Sequence, residues 1–252
     1  MEFSEVKRDC RFFKGHIPCK FNKLDGSVCG NCAHYQPLET RILIIKLAAL
    51  GDVIRTTPLL ALFRKKYPNA HITWMTQSPE ILPKEHIEQI LPFNAMSVFL
   101  LENSLFDVAV NLDKEAEACV LMAKIEAREK YGYTWEDHAV APCTRAAEHK
   151  LMTGFFDQLS KENTKSYLQE IFEICHASFN FEPYAIQLNQ AKYSHWQAVL
   201  DEKRDGKQVV GLNTGCGPRW NTRLWKDENW VELASTLRQH GYFPMFLGGE
   251  LE

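Results

Sequence analysis

The stretch Arg41-Ile-Leu-Ile-Ile-Lys46-Leu-Ala-Ala-Leu-Gly51-Asp52-Val-Ile-Arg55-Thr-Thr-Pro58 constrains the fold more than any other part of the chain. A short, nearly all-apolar run stops at Lys46. A turn of small residues follows, ending in Gly51-Asp52, and a helical pattern then begins. This is the opening strand, loop and helix of an open α/β sheet. It sets one carboxylate at the mouth of the crevice where such sheets bind ligands. Asp52 is therefore the first candidate for a catalytic group, although a carboxylate at a helix start is also a common N-cap. Lys46, Gly51 and Arg55 share that mouth, and the two cations suit an anionic substrate.

The pattern continues as strand and helix in alternation, which argues for a parallel sheet covered by helices. Val53–Lys66 reads as one amphipathic helix, with Pro58 close enough to its start to be tolerated. His71–Met75 reads as a strand, Ser78 to about Ile90 as a short helix, and Met96–Leu100 and Asp107–Asn111 as further strands. Lys114–Lys130, Glu148–Leu159, Thr164–Ala177 (with Thr164 as N-cap) and Ala191–Glu202 read as helices. The polar, glycine-containing run Lys203–Gln208 marks a domain boundary. The expected division is a cysteine-rich segment at 1–40, a Rossmann-like domain at 41–202 and the start of a second at 203–252. That second domain opens with a strand at Gln208–Asn213 and a long loop to Trp225. A helix capped by Asp227 then runs to Gln239, Gly241 stops it, and a strand at Tyr242–Leu247 ends in Gly248-Gly249. A complete half of this kind needs more chain, so the sequence reads as cut short at Glu252.

Composition excludes several classes. With 252 residues, 45% of them hydrophobic and 24% charged, the chain is ordinary for a globular protein. A net charge of -3 gives no electrostatic case for nucleic acid. No apolar run approaches the ~20 residues of a membrane span, and the N-terminus lacks a signal core. A cytoplasmic location is expected, where the 8 cysteines would be thiols or metal ligands rather than disulfides. Four of them, Cys10, Cys19, Cys29 and Cys32, crowd the first 32 residues. Cys29-Gly-Asn-Cys32 has the two-residue gap that lets both sulfurs reach one ion, while Cys10 and Cys19 are spaced more widely. Structural zinc is the first choice and an iron–sulfur cluster the alternative. His16 and His34 are spare ligands. Cys119, Cys143, Cys175 and Cys216 read as small core residues.

The loop Thr214–Trp225, with Gly248-Gly249, offers small residues after a strand and two arginines, Arg219 and Arg223, to neutralise phosphate. It matches neither the dinucleotide fingerprint nor the P-loop.

Taken together, these residues resemble glycosyltransferase family 9, the ADP-heptose:lipopolysaccharide heptosyltransferases. The resemblance runs from Arg41 to Glu252. It rests on the Arg41–Pro58 signature, on Asp107-Val-Ala-Val-Asn-Leu-Asp113, on Tyr131-Gly132-Tyr133, and on Asn213-Thr-Gly215, Arg223-Leu-Trp225, Trp230 and Leu247-Gly248-Gly249. It implies a GT-B fold, with acceptor bound by the first Rossmann-like domain and nucleotide-sugar by the second. It also implies inverting transfer without a catalytic metal, to a lipopolysaccharide or lipid-linked sugar at the cytoplasmic face of the inner membrane. Asp52 falls on the general base and Lys46 on an acceptor-side lysine. Thr214, Gly215 and Arg223 fall in the donor-phosphate loop, and Gly248, Gly249 and Glu250 near the donor nucleotide. Arg223 replaces the family's lysine, a planar fork in place of a point charge. The family's later donor motif would lie past Glu252, which would leave this fragment inactive. The contrasting expectation is a non-catalytic nucleotide-sugar-binding or zinc-dependent interaction module.

Overall fold

The computed structural model describes residues 2–215 and 224–248. In chain order the helices are α1 (Lys20–Asp25), α2 (Leu50–Thr56), α3 (Leu59–Lys66), α4 (Ala95–Glu102), α5 (Ala116–Lys124), α6 (Glu148–Thr153), α7 (Asp157–Glu162), α8 (Tyr167–Ile174), α9 (Gln190–Arg204) and α10 (Asp227–Gln239). The strands are β1 (Thr40–Ile45), β2 (Ala70–Thr76), β3 (Gln89–Pro92), β4 (Leu105–Asn111), β5 (Glu126–Glu136), β6 (Ala139–Pro142), β7 (Val209–Asn213) and β8 (Phe243–Leu247). The chain divides into two units, Met1–Gln187 and Leu188–Glu252.

In the first unit the sheet order is β3-β2-β1-β4-β5-β6. All neighbours are parallel except the last pair. The all-apolar composition of β1 follows from its central place. Ile42 and Ile44 join the hydrophobic cluster on one face of the sheet, and Leu43 and Ile45 join the cluster on the other. Both sets are fully buried, as expected for a parallel strand covered on both sides. Trp74 and Phe63 are the largest wholly buried side chains.

Four expectations need correction. The helix over Val53–Lys66 is two helices. Pro58 interrupts it, and the Thr56 and Thr57 hydroxyls donate back to the Val53 and Ile54 carbonyls at 2.7 and 2.8 Å. The helix from Ser78 to Ile90 is only a 3-10 turn at Pro79–Ile81. Pro83 holds Leu82 extended, and β3 follows. Met96–Leu100 is helical, because Asn94 caps α4 by accepting from the Ser97 amide at 2.9 Å. Finally, Lys114–Lys130 is not one helix. α5 stops at Lys124, and Glu126–Gly132 pairs with β4, whose edge would otherwise be bare.

Smaller differences have equally local causes. Gly154 ends α6, so Glu148–Leu159 is split between α6 and α7. Ser166, not Thr164, caps α8 through a reciprocal box with Gln169. Asp227 is the first helical residue of α10 rather than its cap. The division between units falls before α9, ahead of the expected 202/203 boundary. The polar run there is the end of α9 and the turn joining it to β7, with Asp205 and Gly206 at positive φ and the Lys207 amide on the Arg204 carbonyl at 2.9 Å.

In the second unit β7 and β8 pair in parallel from Val209↔Phe243 to Asn213↔Leu247. Gly241 adopts φ +84 after α10, as expected of a left-handed stop. No helix among the described residues is long and apolar enough to cross a membrane.

One carboxylate ties Arg11 of the N-terminal segment to the first sheet. Glu88 accepts from the Ile72 amide at 2.7 Å, from Arg64 at 2.8 Å and from Arg11 Nε at 2.9 Å. Burial pushes the Glu88 pKa up, but these donors outweigh it and hold the carboxyl below its ordinary value. A depressed carboxylate stabilises the fold above its unfolded pKa of about 4.3, and that stability is lost as pH falls through the folded value. Wild type should therefore lose about 1–3 kcal/mol of stability relative to Glu88→Gln on going from pH 6 into the acid range. Paired urea titrations at stepped pH measure this difference. Parallel curves would remove Glu88 as the anchor.

Candidate functional site

The strand order turns back on itself between β1 and β4, and open α/β sheets bind ligands beyond the carboxyl ends of the strands at such a point. Lys46 is the first residue past β1 and Asp113 the second past β4. The Lys46 ammonium donates to an Asp113 oxygen and to the Ala48 carbonyl, and the Leu47 amide donates to the other Asp113 oxygen. Both side chains are buried, at 4% and 2% exposure. Asp113 thus clamps the loop that leads into α2. Burial raises its pKa, against the pull of the ammonium and the amide.

Asn111 fixes the clamp in turn. Its side-chain amide donates to the Tyr133 carbonyl at 2.8 Å and the Asp113 carbonyl at 3.1 Å, while its oxygen accepts from the Asp113 amide at 3.0 Å. Cys119 donates to the Asp113 carbonyl, and burial pushes its thiol up to about 12, so it stays protonated. Cys119 and Cys175 are core thiols as expected, Cys143 is half-buried, and Cys216 lies outside the described residues.

The clamp carries α2, and α2 carries Asp52. This carboxylate does not cap its helix: Ala49 holds the cap position, with no side-chain bond to the helix start. It stands 38% exposed and accepts from Arg55 one turn on. The Arg55 guanidinium lies 4.0 Å from the centre of the Tyr167 ring, at the start of α8. Burial raises the Tyr167 pKa, with Asp52 adding and Arg55 opposing, so the phenol is neutral. Lys150 approaches the same ring at 5.4 Å and pairs with buried Glu170 at 2.6 Å. Gly51 has no neighbour within 4 Å of where a Cβ would stand, and its φ is not positive. The fold does not require glycine there, and its bareness leaves open space beside the carboxylate.

The four expected residues of this mouth therefore occupy two levels. Asp52, Arg55 and Gly51 stand at the surface on α2, and Lys46 is buried beneath it, holding the loop. Lys46→Met would leave Asp113 buried without its cation, and should cost about 3 kcal/mol of stability. A urea midpoint unchanged from wild type would show the pair to be dispensable.

In the second unit, Thr214 and Gly248 follow directly on the paired strands β7 and β8, with Gly215 next in line, so all three stand at the carboxyl edge. The Thr214 amide donates to the Leu247 carbonyl at 3.4 Å. Arg219, Arg223, Gly249 and Glu250 lie outside the described residues. In the N-terminal segment Cys10, Cys19, Cys29 and Cys32 are half-buried free thiols around one cavity.

Asn111, Asp113 and Tyr167 were not singled out as site residues. The first two had a signal in the sequence: an apolar strand ending in a polar pair, as β1 ends at Lys46. Tyr167 had none, because only the packing of α8 against α2 brings it to Arg55.

No protein-family model and no curated protein matches the chain. Solved structures do. The glycosyltransferase of family 9 from Veillonella parvula is 20% identical, with a TM-score of 0.61, over 85% of this chain and 64% of that one. The ADP-heptose LPS heptosyltransferase II of Escherichia coli is 15% identical, with a TM-score of 0.54, over 84% of this chain and 65% of that one. The chain therefore spans less than two thirds of either structure. The likeness shows the fold, which is α/β of the GT-B glycosyltransferase type.

Proposed function

We propose that this chain is part of an enzyme of inverting glycosyl transfer from a nucleotide-sugar, with Asp52 as the general base and the activity expected of the full-length parent. One observation carries the reading. On a fold shared with glycosyltransferases, an exposed carboxylate stands at the switch point of the first sheet, oriented by Arg55 rather than spent on capping its own helix. A carboxylate so placed can take the proton of an acceptor hydroxyl as the oxygen attacks the anomeric carbon. The new C–O bond forms on the face opposite the departing nucleoside diphosphate, which leaves with the electrons of the old bond. The step requires no metal. Arg55 holds the base in place, and Tyr167 supports Arg55.

ADP-heptose as donor and a lipopolysaccharide core sugar as acceptor are supported by the sequence resemblance. So are Thr214, Gly215, Arg223, Gly248, Gly249 and Glu250 as the donor side. Such an acceptor would bring the protein to the cytoplasmic face of the inner membrane. The test is a panel of ADP-, GDP- and UDP-linked sugars offered with a Kdo-lipid acceptor, read by mass spectrometry. The expected result is a heptose added from the ADP donor. Binding of ADP by calorimetry with no product from any donor would favour the non-catalytic module instead.

A further inference from the structure

We propose that Cys10, Cys19, Cys29 and Cys32 form a tetrathiolate zinc centre that shapes the N-terminal segment and seats it on the first sheet through Arg11. This is independent of the transferase reading. The segment needs such a centre because no residue from 2 to 39 is buried. A stretch that contributes nothing to a hydrophobic core must recover the entropy of its ordering elsewhere.

The four cysteines come from three separate pieces of chain. Cys10 sits in a bridge with Pro37, Cys19 precedes α1, and Cys29 and Cys32 bracket a 3-10 turn. All four nevertheless line one cavity of about 240 Å³. Among the described residues no three His, Cys, Asp or Glu groups converge closely enough to hold an ion as they stand, so zinc would draw the thiols inward. None of the backbone from 2 to 39 is buried in a core, and an added Cβ at Gly30 would meet nothing closer than the end of the Glu5 side chain at 3.8 Å.

The histidines are committed elsewhere. His34 lines the cavity too, but it stacks on Phe21 at 3.9 Å and bonds Asp25 through Nε2 at 2.8 Å. His16 bonds the Lys14 carbonyl through Nδ1 at 2.8 Å and does not line the cavity. The donor set that remains is four sulfurs. Four thiolates around zinc leave no open position, so the centre is structural rather than catalytic. Its mechanical output is at hand, because Arg11 follows Cys10 and grips Glu88 on the sheet.

The full chain, purified without oxygen or added chelator, should contain about one zinc per chain by mass spectrometry. The double variant Cys29→Ser/Cys32→Ser should lose it, whereas Cys143→Ser, outside the segment, should keep it. If the double variant does not fold, wild type stripped of metal and titrated with Co²⁺ answers the question. A thiolate charge-transfer band at one equivalent supports the centre, and its absence overturns it. Protease cleavage within residues 2–39 should quicken on stripping and slow again on adding Zn²⁺. Iron with acid-labile sulfide would overturn zinc as the occupant. Zinc retained by a folded double variant, or four thiols paired as disulfides, would overturn the site.

Discussion

Asp52→Ala should lower kcat roughly 100- to 10,000-fold, the usual worth of a positioned general base, with little change in donor KM or in the urea midpoint. Stability should hold because of what Asp52 touches. Among the described residues its side chain pairs with Arg55, at 47% exposure, and exposed pairs of this kind contribute about 0–1 kcal/mol. Its favourable place in the first turn of α2 adds about 0.3–1 kcal/mol more. The carboxylate therefore does little for the fold and should do much for the reaction. Arg55→Ala provides the comparison. It leaves the base but frees its orientation, so it should cost less in kcat than Asp52→Ala. Steady-state kinetics on both variants decide the matter. Equal turnover in wild type and Asp52→Ala would remove this carboxylate from the mechanism.

Gly132→Ala should destabilise the fold severely, removing a large part of its total stability. Gly132 lies in β5 opposite Asn111 with φ +89, where an L side chain is strained by about 1–3 kcal/mol. A Cβ there would stand 1.7 Å from the Asn111 carbonyl oxygen and 2.8 Å from its carbon. Both are backbone atoms, and no rotamer change moves them aside. Relief requires β4 and β5 to part, which also breaks the Asn111–Tyr133 bond and displaces the Gly132 carbonyl that accepts from Cys143 at 2.7 Å. The sum exceeds about 4 kcal/mol, in the exceptional class for one methyl group, against a total stability of about 5–15 kcal/mol. Soluble yield and the thermal midpoint measure it. A variant that melts with wild type would show that β5 does not cross Asn111 in this way.

The contrast between these two positions shows what could be read in advance. Asp52 is legible because strand, turn and helix follow one another within a dozen residues and the residue types change with them. The same holds for β7, α10 and β8, found within a residue or two of expectation. Residues 95–102 and 126–132 are not legible. The first is an apolar run without a period, decided by its Asn94 cap. The second is a helix-forming composition overruled by the open edge of β4. The Lys46–Asp113 clamp was also hidden, since its partners stand 67 residues apart. Each half appeared within a recognisable motif, but only the parallel pairing of β1 with β4 makes them neighbours.

The grip of Arg11 on Glu88 spans 77 residues, and that separation sets an order of events during synthesis. The cysteine-bearing arm is made before the carboxylate that receives it, and that carboxylate belongs to a sheet assembled from strands later in the chain. The arm thus cannot take its seat until Glu88, 77 residues further on, has been made. Until then Arg11 has no carboxylate of the sheet to hold, and the four thiols ride on an arm without that anchor.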